Sequence, residues 1–376
     1  MKKIGIMTFH RSYNCGSIMQ AYALQKVISD NFNLYPEFID FSNKGQQDLY
    51  AMFDRRLRLR SIIKNIIRAF FYNRLWKNNQ SYKKYISSYL NLSDEHYSEV
   101  TELNENKLNY DVYLAGSDQV WNITISDSDD AYFLPFVKYH PKIGYALSQG
   151  TRSIIDYTND PEKYKRMIKD FDYLSVREPN GQKWLQDSFN INSEIVLDPT
   201  LLLDSNDYIN AEEPLNEELN KEEYIFIYAT ELDKRFEKII RNVAKSEGLK
   251  IVIWQPYTWI KIFGWIKGYI LPKGQNPGKY LTLMKNAKYV FTASFHGVVF
   301  ATQYRKNFWV LENEGMNINK DDRILSLLYN FKLDDRLLKN NEYNKDISQK
   351  VNYKYFESKI LLDREKSFKF LRRAIK

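Results

Sequence analysis

Three short stretches carry the side chains whose chemistry stands out. In YVFTASFHGVVFA, Tyr289 to Ala301, a buried-strand pattern ends at Phe291 and a helical pattern begins at Gly297. A strand that turns straight into a helix puts the turn at the carboxyl edge of an α/β sheet, where ligands usually bind. The first amides of the helix lack intrahelical acceptors and the dipole adds partial positive charge, so this end suits a phosphate. Ser294 is placed to cap the helix, and His296 adds a proton donor that titrates near neutrality. A capped helix with a structural histidine is the competing reading. In YDVYLAGSDQVWN, the strand Tyr110 to Ala115 runs into Gly116, Ser117, Asp118 and Gln119. Asp118 is a candidate general base or ligand for sugar hydroxyls. Trp121 either stacks on a sugar face or fills the core. In LSVREP, Arg177 ends a strand and offers a planar, bidentate donor to phosphate or carboxylate. An ordinary ion pair with Glu178 is the alternative there.

The elements needed to hold these residues are legible in order. Lys3 to Thr8 reads as a first strand, followed by the loop FHRSYNCGS, a helix over IMQAYALQKVI and a second strand from Tyr35 to Phe41. Strand–helix–strand openings favour parallel, right-handed units. His10, Arg11, Asn14 and Cys15 then lie at the carboxyl edge of the sheet. No histidine sits beside Cys15 in an activating motif, so it reads as a packed thiol rather than a nucleophile. Residues 44 to 108 interrupt the α/β rhythm with mostly helical sequence. Strands follow at Lys142 to Leu147 and Asp172 to Val176, and IVLDPTLLL closes the first half. Asp204 to Glu223 is acidic and weakly periodic, as a linker would be. A second α/β half starts with Tyr224 to Tyr228. It continues through strands at Lys250 to Trp254, Tyr289 to Phe291 and Asn307 to Leu311. The last 25 or so residues carry an amphipathic stripe through Phe356, Ile360, Phe368 and Leu371.

Length and composition set the outer bounds. A chain of 376 residues exceeds one ordinary domain. No apolar run approaches the ~18 residues of a spanning helix, and the start lacks a signal-peptide pattern. A single cysteine rules out an internal disulfide framework and a Cys-based zinc cluster. Together these set the expectation of a cytoplasmic protein. The net charge of +8 is local: ten basic residues lie between Arg55 and Lys84 with no acidic residue among them. Removing these ten leaves the rest of the chain near −2. With Ile62, Ile63, Ile66, Ile67, Phe70, Phe71 and Trp76 at helical spacing, this stretch reads as a basic amphipathic helix suited to an anionic membrane surface. YTWIKIFGWIKGYI, Tyr257 to Ile270, is a possible companion. The bland reading is packing of the isoleucines into the first domain. No nucleic-acid recognition motif accompanies the basic stretch, so no nucleic-acid partner is expected. There is no GxGxxG after the first strand and no Walker loop.

Four stretches together resemble the polysaccharide pyruvyl transferase family: FHRSYNCGSIMQAYALQ, AGSDQVWN, LSVREPNG with VLDPTLLL, and KYVFTASFHGVVFA. The resemblance spans roughly residues 3 to 336. It implies an α/β fold of two Rossmann-like domains facing a cleft, as in GT-B glycosyltransferases. Residues 1–205 would form the first, acceptor domain with a helical insertion at 44–108. Residues 206–345 would form the donor domain, and 346–376 a terminal helix returning to the first. The activity implied is transfer of a carboxyethylidene group from phosphoenolpyruvate to a sugar of a cell-surface glycan or its lipid-linked precursor. The product is a pyruvate ketal, and no cofactor or metal is required beyond phosphoenolpyruvate as co-substrate. Joined to the residue chemistry, it makes His296, Asp118 and Arg177 the catalytic candidates. Arg177, Ser294, His296 and Gly297 are the donor-binding candidates. His10, Asn14, Ser117, Asp118, Gln119 and Trp121 are the acceptor-binding candidates. The family often carries Asp where this chain has Ala293, and residues 44–108 match no general family feature. A nucleotide-sugar glycosyltransferase and a non-catalytic glycan binder are the alternatives.

Overall fold

The computed structural model describes residues 2–54, 59–215, 217–312, 322–340 and 345–375. The chain divides into two compact units, residues 1–203 with 362–376, and residues 204–361.

The first unit is a fully parallel sheet wrapped by helices. β1 (Lys3–Met7) leads into α1 (Cys15–Phe32), then β2 (Tyr35–Phe41). The next stretch holds α2 (Lys44–Leu49), α3 (Leu59–Phe70), α4 (Tyr72–Tyr89) and β3 (Leu92–Tyr97). β4 (Val112–Ala115), β5 (Lys142–Leu147), β6 (Tyr173–Val176) and β7 (Glu194–Ile195) complete the set. The sheet order is β3-β2-β1-β4-β5-β6-β7. Chain order reverses between β1 and β4, whose register pairs Ile4 with Val112 and Met7 with Ala115. That reversal is the topological switch point at which open α/β sheets bind ligands. β4 and β5 are buried along their whole length, as strands covered by helices on each face must be.

Two sequence expectations change here. The interruption at 44–108 is not all helix, because LSDEHY pairs in parallel with β2 and forms the sheet edge. Its charged, half-exposed face hides the strand from any apolar periodicity, a usual feature of edge strands. The helix after β1 starts at Cys15 rather than Ile18, because the Asn14 side chain accepts from Gly16 N at 2.9 Å. Cys15 is consequently inside the helix, fully buried, with Sγ 3.0 Å from the Tyr82 hydroxyl. The packed-thiol reading holds, and Cys15 sits in the first turn of the helix that follows β1.

The second unit repeats the plan with β8 (Tyr224–Tyr228), β9 (Lys250–Ile253), β10 (Tyr289–Thr292), β11 (Asn307–Leu311) and β12 (Leu337–Leu338). The order is β12-β11-β10-β8-β9, again all parallel. Its reversal lies between β8 and β10. The acidic stretch after residue 204 is packed rather than loose. Glu212 accepts from Lys285 Nζ at 2.9 Å and from the Tyr304 hydroxyl, and Glu213 accepts from Asn276 at 2.6 Å. The last helix, Lys354–Ala374, contributes its C-terminal part to the first unit. There Ser367 Oγ accepts from Leu197 N, Arg364 donates to Leu201 O at 2.7 Å, and Phe370 meets Tyr145.

Candidate functional site

The carboxyl edge of the first sheet holds a dense, buried polar network at its switch point. Thr8, just past β1, donates from Oγ1 to Ser117 O, and Gln20 of α1 donates to Thr8 Oγ1 at 2.7 Å. Gln20 also accepts from Ser117 N. Gly116 permits this approach. Its φ is +112°, and a Cβ there would lie 2.2 Å from Tyr145 O. Asp118 follows with φ +74°, a conformation uncommon for a residue with a side chain and often found at functional sites. Its carboxylate accepts from Ser17 Oγ at 2.5 Å and from Gln119 N at 2.8 Å.

Arg177 follows β6 directly and lies inside this network. Its Nε donates to Glu178 at 2.6 Å, its Nη1 donates to Asp198 at 2.6 Å, and Nη2 lies 3.9 Å from Asp118. Burial acts to lower the guanidinium pKa. Glu178, Asp198 and Asp118 outweigh it and hold the group above its ordinary value. The expected open anion donor is therefore corrected. Arg177 is a buried cation neutralising three carboxylates, with the Glu178 pairing as one part. Asp198 in turn accepts from Ser117 Oγ and from Thr200.

Two of the proposed acceptor contacts are also corrected. Trp121 is fully buried, stacked on Phe133 at 5.0 Å, with its indole N–H donating to Tyr132 O. It fills the core and offers no face to a sugar. His10 is fully buried too, its ring nitrogens 3.0 Å from Thr8 O and 3.2 Å from Asp40. Ser117 is buried, Gln119 is half-buried against Asn122, and Asn14 is an exposed helix cap. Asp118 is thus the acceptor-side candidate whose geometry and chemistry coincide.

The structure adds two neighbours that the sequence reading missed. Burial pushes the Tyr50 hydroxyl up, with Asp127 and Asp118 adding to the shift and Ser12 opposing it. Burial likewise raises the Asp127 carboxyl, Gln46 and Ser126 oppose this, and the charge of Asp118 adds to it. Gln46 Nε2 donates to Asp127 Oδ2 at 3.5 Å. Tyr50 and Asp127 belong to no motif that would single them out in the sequence.

In the second unit the helix Phe295–Gln303 starts directly after β10. Ser294 occupies the cap position, but its side chain makes no capping hydrogen bond. Its amide instead donates to Thr292 Oγ1 at 3.1 Å. Thr292 Oγ1 donates to Tyr228 O at 2.8 Å, which ties the turn to β8 across the switch point. Gly297 is demanded by packing, since a Cβ there would lie 2.0 Å from Thr292 Oγ1. His296 is buried to 7% exposure beside the Phe295 ring, and Tyr280 donates to its carbonyl. Ala293 is buried at the end of the strand.

The sequence model of the polysaccharide pyruvyl transferase family matches residues 14–315. The chain belongs to that family. The match takes in every candidate from Asn14 to Gly297, and at family level the protein is a transferase of polysaccharide biosynthesis. No curated relative matches the chain at a significant level. Among solved structures, an S. aureus MnaA–UDP co-structure is similar at 15% identity and TM-score 0.50, covering 100% of this chain and 91% of that one. A Methanocaldococcus jannaschii UDP-GlcNAc 2-epimerase in complex with UDP-GlcNAc and UDP follows at 14% identity and TM-score 0.46, covering 98% and 100%. The E. coli heptosyltransferase WaaC with ADP-2-deoxy-2-fluoro heptose gives 10% and 0.39, covering 83% and 89%. The transferase thus has a GT-B-like α/β fold of two Rossmann-like units. Among the described residues no helix is long and apolar enough to cross a membrane.

Proposed function

We propose that this transferase moves a pyruvyl group from phosphoenolpyruvate to two hydroxyls of one sugar, on a cell-surface glycan or its lipid-linked precursor. The observation that carries the reading is the helix end at the second switch point. There the helix begins just after β10, and its first amides, with His296 in the first turn, suit a phosphate.

The chemistry balances without a further reactant. The methylene carbon of phosphoenolpyruvate takes a proton, and the adjacent carbon, now electrophilic, is attacked by the first sugar hydroxyl. That hydroxyl's proton passes to a base. The second hydroxyl then displaces inorganic phosphate from the same carbon, and its proton leaves with the phosphate side. His296 is assigned to phosphate binding and proton delivery, and Asp118 to the hydroxyl proton. Arg177 holds Asp118 and Asp198 in place rather than meeting the donor. An anionic membrane surface is proposed as the setting for a lipid-linked acceptor. Ile62, Ile66 and Phe70 lie one helical turn apart on α3 with exposures of 46%, 54% and 83%, so this stripe is not packed into the first unit.

The test is a thermal-shift comparison of phosphoenolpyruvate with UDP-sugars, followed by phosphate release in the presence of glycan acceptors. Stabilisation by phosphoenolpyruvate with acceptor-dependent phosphate release supports the reading. Stabilisation by UDP-sugars and not by phosphoenolpyruvate overturns it in favour of nucleotide-sugar transfer. Stabilisation by neither leaves a glycan binder.

A further inference from the structure

A cavity of about 530 Å³ opens at the carboxyl edge of the first sheet, over the ends of β1, β2 and β3. Its size lies within the range of small-molecule sites. Arg11 reaches it from the loop after β1, Ser42 from the end of β2, and His96 and Ser98 from β3 and just beyond. The inserted segment supplies the remaining walls: Gln46, Gln47 and Tyr50 from α2 and its end, and Lys83 from α4. The segment between β2 and β4 therefore builds much of the pocket.

Its chemistry is specific. Among the described lining residues none is a carboxylate, while Arg11, Lys83 and His96 are cationic or become so on protonation. Asp40 lies beneath them, nearly fully buried. Its carboxylate is engaged by two nitrogens of Arg11, by His10 and, at 3.4 Å, by His96. Asp40 thus fixes the guanidinium plane, His96 Nε2 lies 3.3 Å from Ser42 Oγ, and the Lys83 ammonium is exposed beside them. The rings of Tyr13 and Tyr50 meet at 5.4 Å and supply flat apolar walls. Ser42, Gln46, Gln47 and Ser98 supply hydroxyl and amide groups. Ring faces with polar side chains suit a pyranose, and the exposed Lys83 beside Arg11 and His96 favours one that carries negative charge. Gln46 joins this cavity to the polar network, because its Nε2 donates to Asp127 Oδ2 at 3.5 Å.

We propose that this cavity is the acceptor subsite and that it selects an anionic sugar, a unit bearing a carboxylate or a phosphate, next to the hydroxyls that Asp118 activates. The proposal rests on the pyruvyl-transfer reading for the word acceptor, but the binding it predicts is independent of any donor.

The experiment is calorimetric titration of the full chain with methyl glucuronide, glucose 1-phosphate and methyl glucoside. One or both anionic sugars bind, and the neutral glucoside binds at least ~10-fold more weakly, as loss of a charge-assisted contact predicts. Preference between the two anionic probes identifies the charge as carboxylate or phosphate. In Lys83→Gln with His96→Gln, both exposed side chains whose replacement leaves the core intact, anionic-sugar binding falls by at least ~10-fold. Equal binding of the neutral glucoside, undiminished binding by the double variant, or no binding of either anionic sugar overturns the proposal. Phosphoenolpyruvate is titrated in a separate arm, which bears on the donor reading alone.

Discussion

Ser17 Oγ donates to Asp118 Oδ2 at 2.5 Å, joining the first turn of α1 to the loop after β4 across the switch point of the first sheet. The contact orients a carboxylate that sits at φ +74°. Asp118→Asn tests its role cleanly, because Asn accepts positive φ and keeps an acceptor for Ser17. Transfer is expected to fall by at least ~100-fold, the scale of losing a general base, with an unchanged melting transition. Ser17→Ala, which removes orientation alone, should cost less. Wild-type turnover in purified Asp118→Asn would remove it from the mechanism.

Arg177 behaves differently, because it is buried among Glu178, Asp198 and Asp118. Arg177→Ala strands these carboxylates, and breaking such a buried ion network costs about 3–5 kcal/mol. The variant is expected to be poorly soluble or to melt far below wild type, with activity lost through folding. Arg177→Lys should recover little, since one ammonium cannot reproduce the forked contacts. A well-folded Arg177→Ala with normal phosphoenolpyruvate affinity and no turnover would instead return Arg177 to the chemistry.

At the second switch point, two adjacent residues should separate function from packing. His296→Gln is expected to fold normally and lose at least ~100-fold in turnover. Gly297→Ala pushes a methyl group into Thr292 and should destabilise by about 1–3 kcal/mol, as overpacking does. Paired chemical-denaturation and phosphate-release measurements on the two variants check this, and an unstable His296→Gln would make the histidine structural.

Asp40 gives a pH signature. Burial alone would raise its carboxyl, but the hydrogen bonds from Arg11 and His10 outweigh it and hold the group below the usual carboxylate range. A depressed folded pKa means the stabilisation is fully present above the ordinary aspartate value near ~3.9 and is lost as pH falls below it. Asp40→Asn should therefore be less stable than wild type by about 1–3 kcal/mol at neutral pH, with the gap closing under acid. Urea melts between neutral pH and pH ~3 would show it. A gap independent of pH would point to packing alone.

The exposed stripe on α3 predicts vesicle binding. Co-sedimentation should require anionic lipid, weaken as salt rises, and drop when Ile62, Ile66 and Phe70 are changed to Ser. Changing Arg55, Arg56, Arg58 and Arg60 to Gln should weaken it as well; Arg55, Arg56 and Arg58 lie outside the described residues. Equal binding to neutral vesicles, or none, would leave the stripe for another partner.

The sequence by itself determined the parallel α/β plan and the position of its reactive turns. Buried parallel strands such as Lys142–Leu147 and Tyr224–Tyr228 are continuous apolar runs bounded by polar punctuation, and they read directly. The strand-to-helix turn at Ser294 is a local event fixed by adjacent residues, so it was legible too. Which polar residues turn outward was not, because partners distant in sequence decide it. Trp121 is core because Phe133 and Tyr132 lie beside it, and Arg177 is internal because Asp198 arrives 21 residues later. His10 is spent on Asp40, 30 residues away. The edge strand Leu92–Tyr97 escaped detection because pairing on one side leaves its side chains half in solvent. The cavity over β1, β2 and β3 came from the same cause. Arg11, Tyr50, Lys83 and His96 share no motif, and only the folded sheet brings them to one edge.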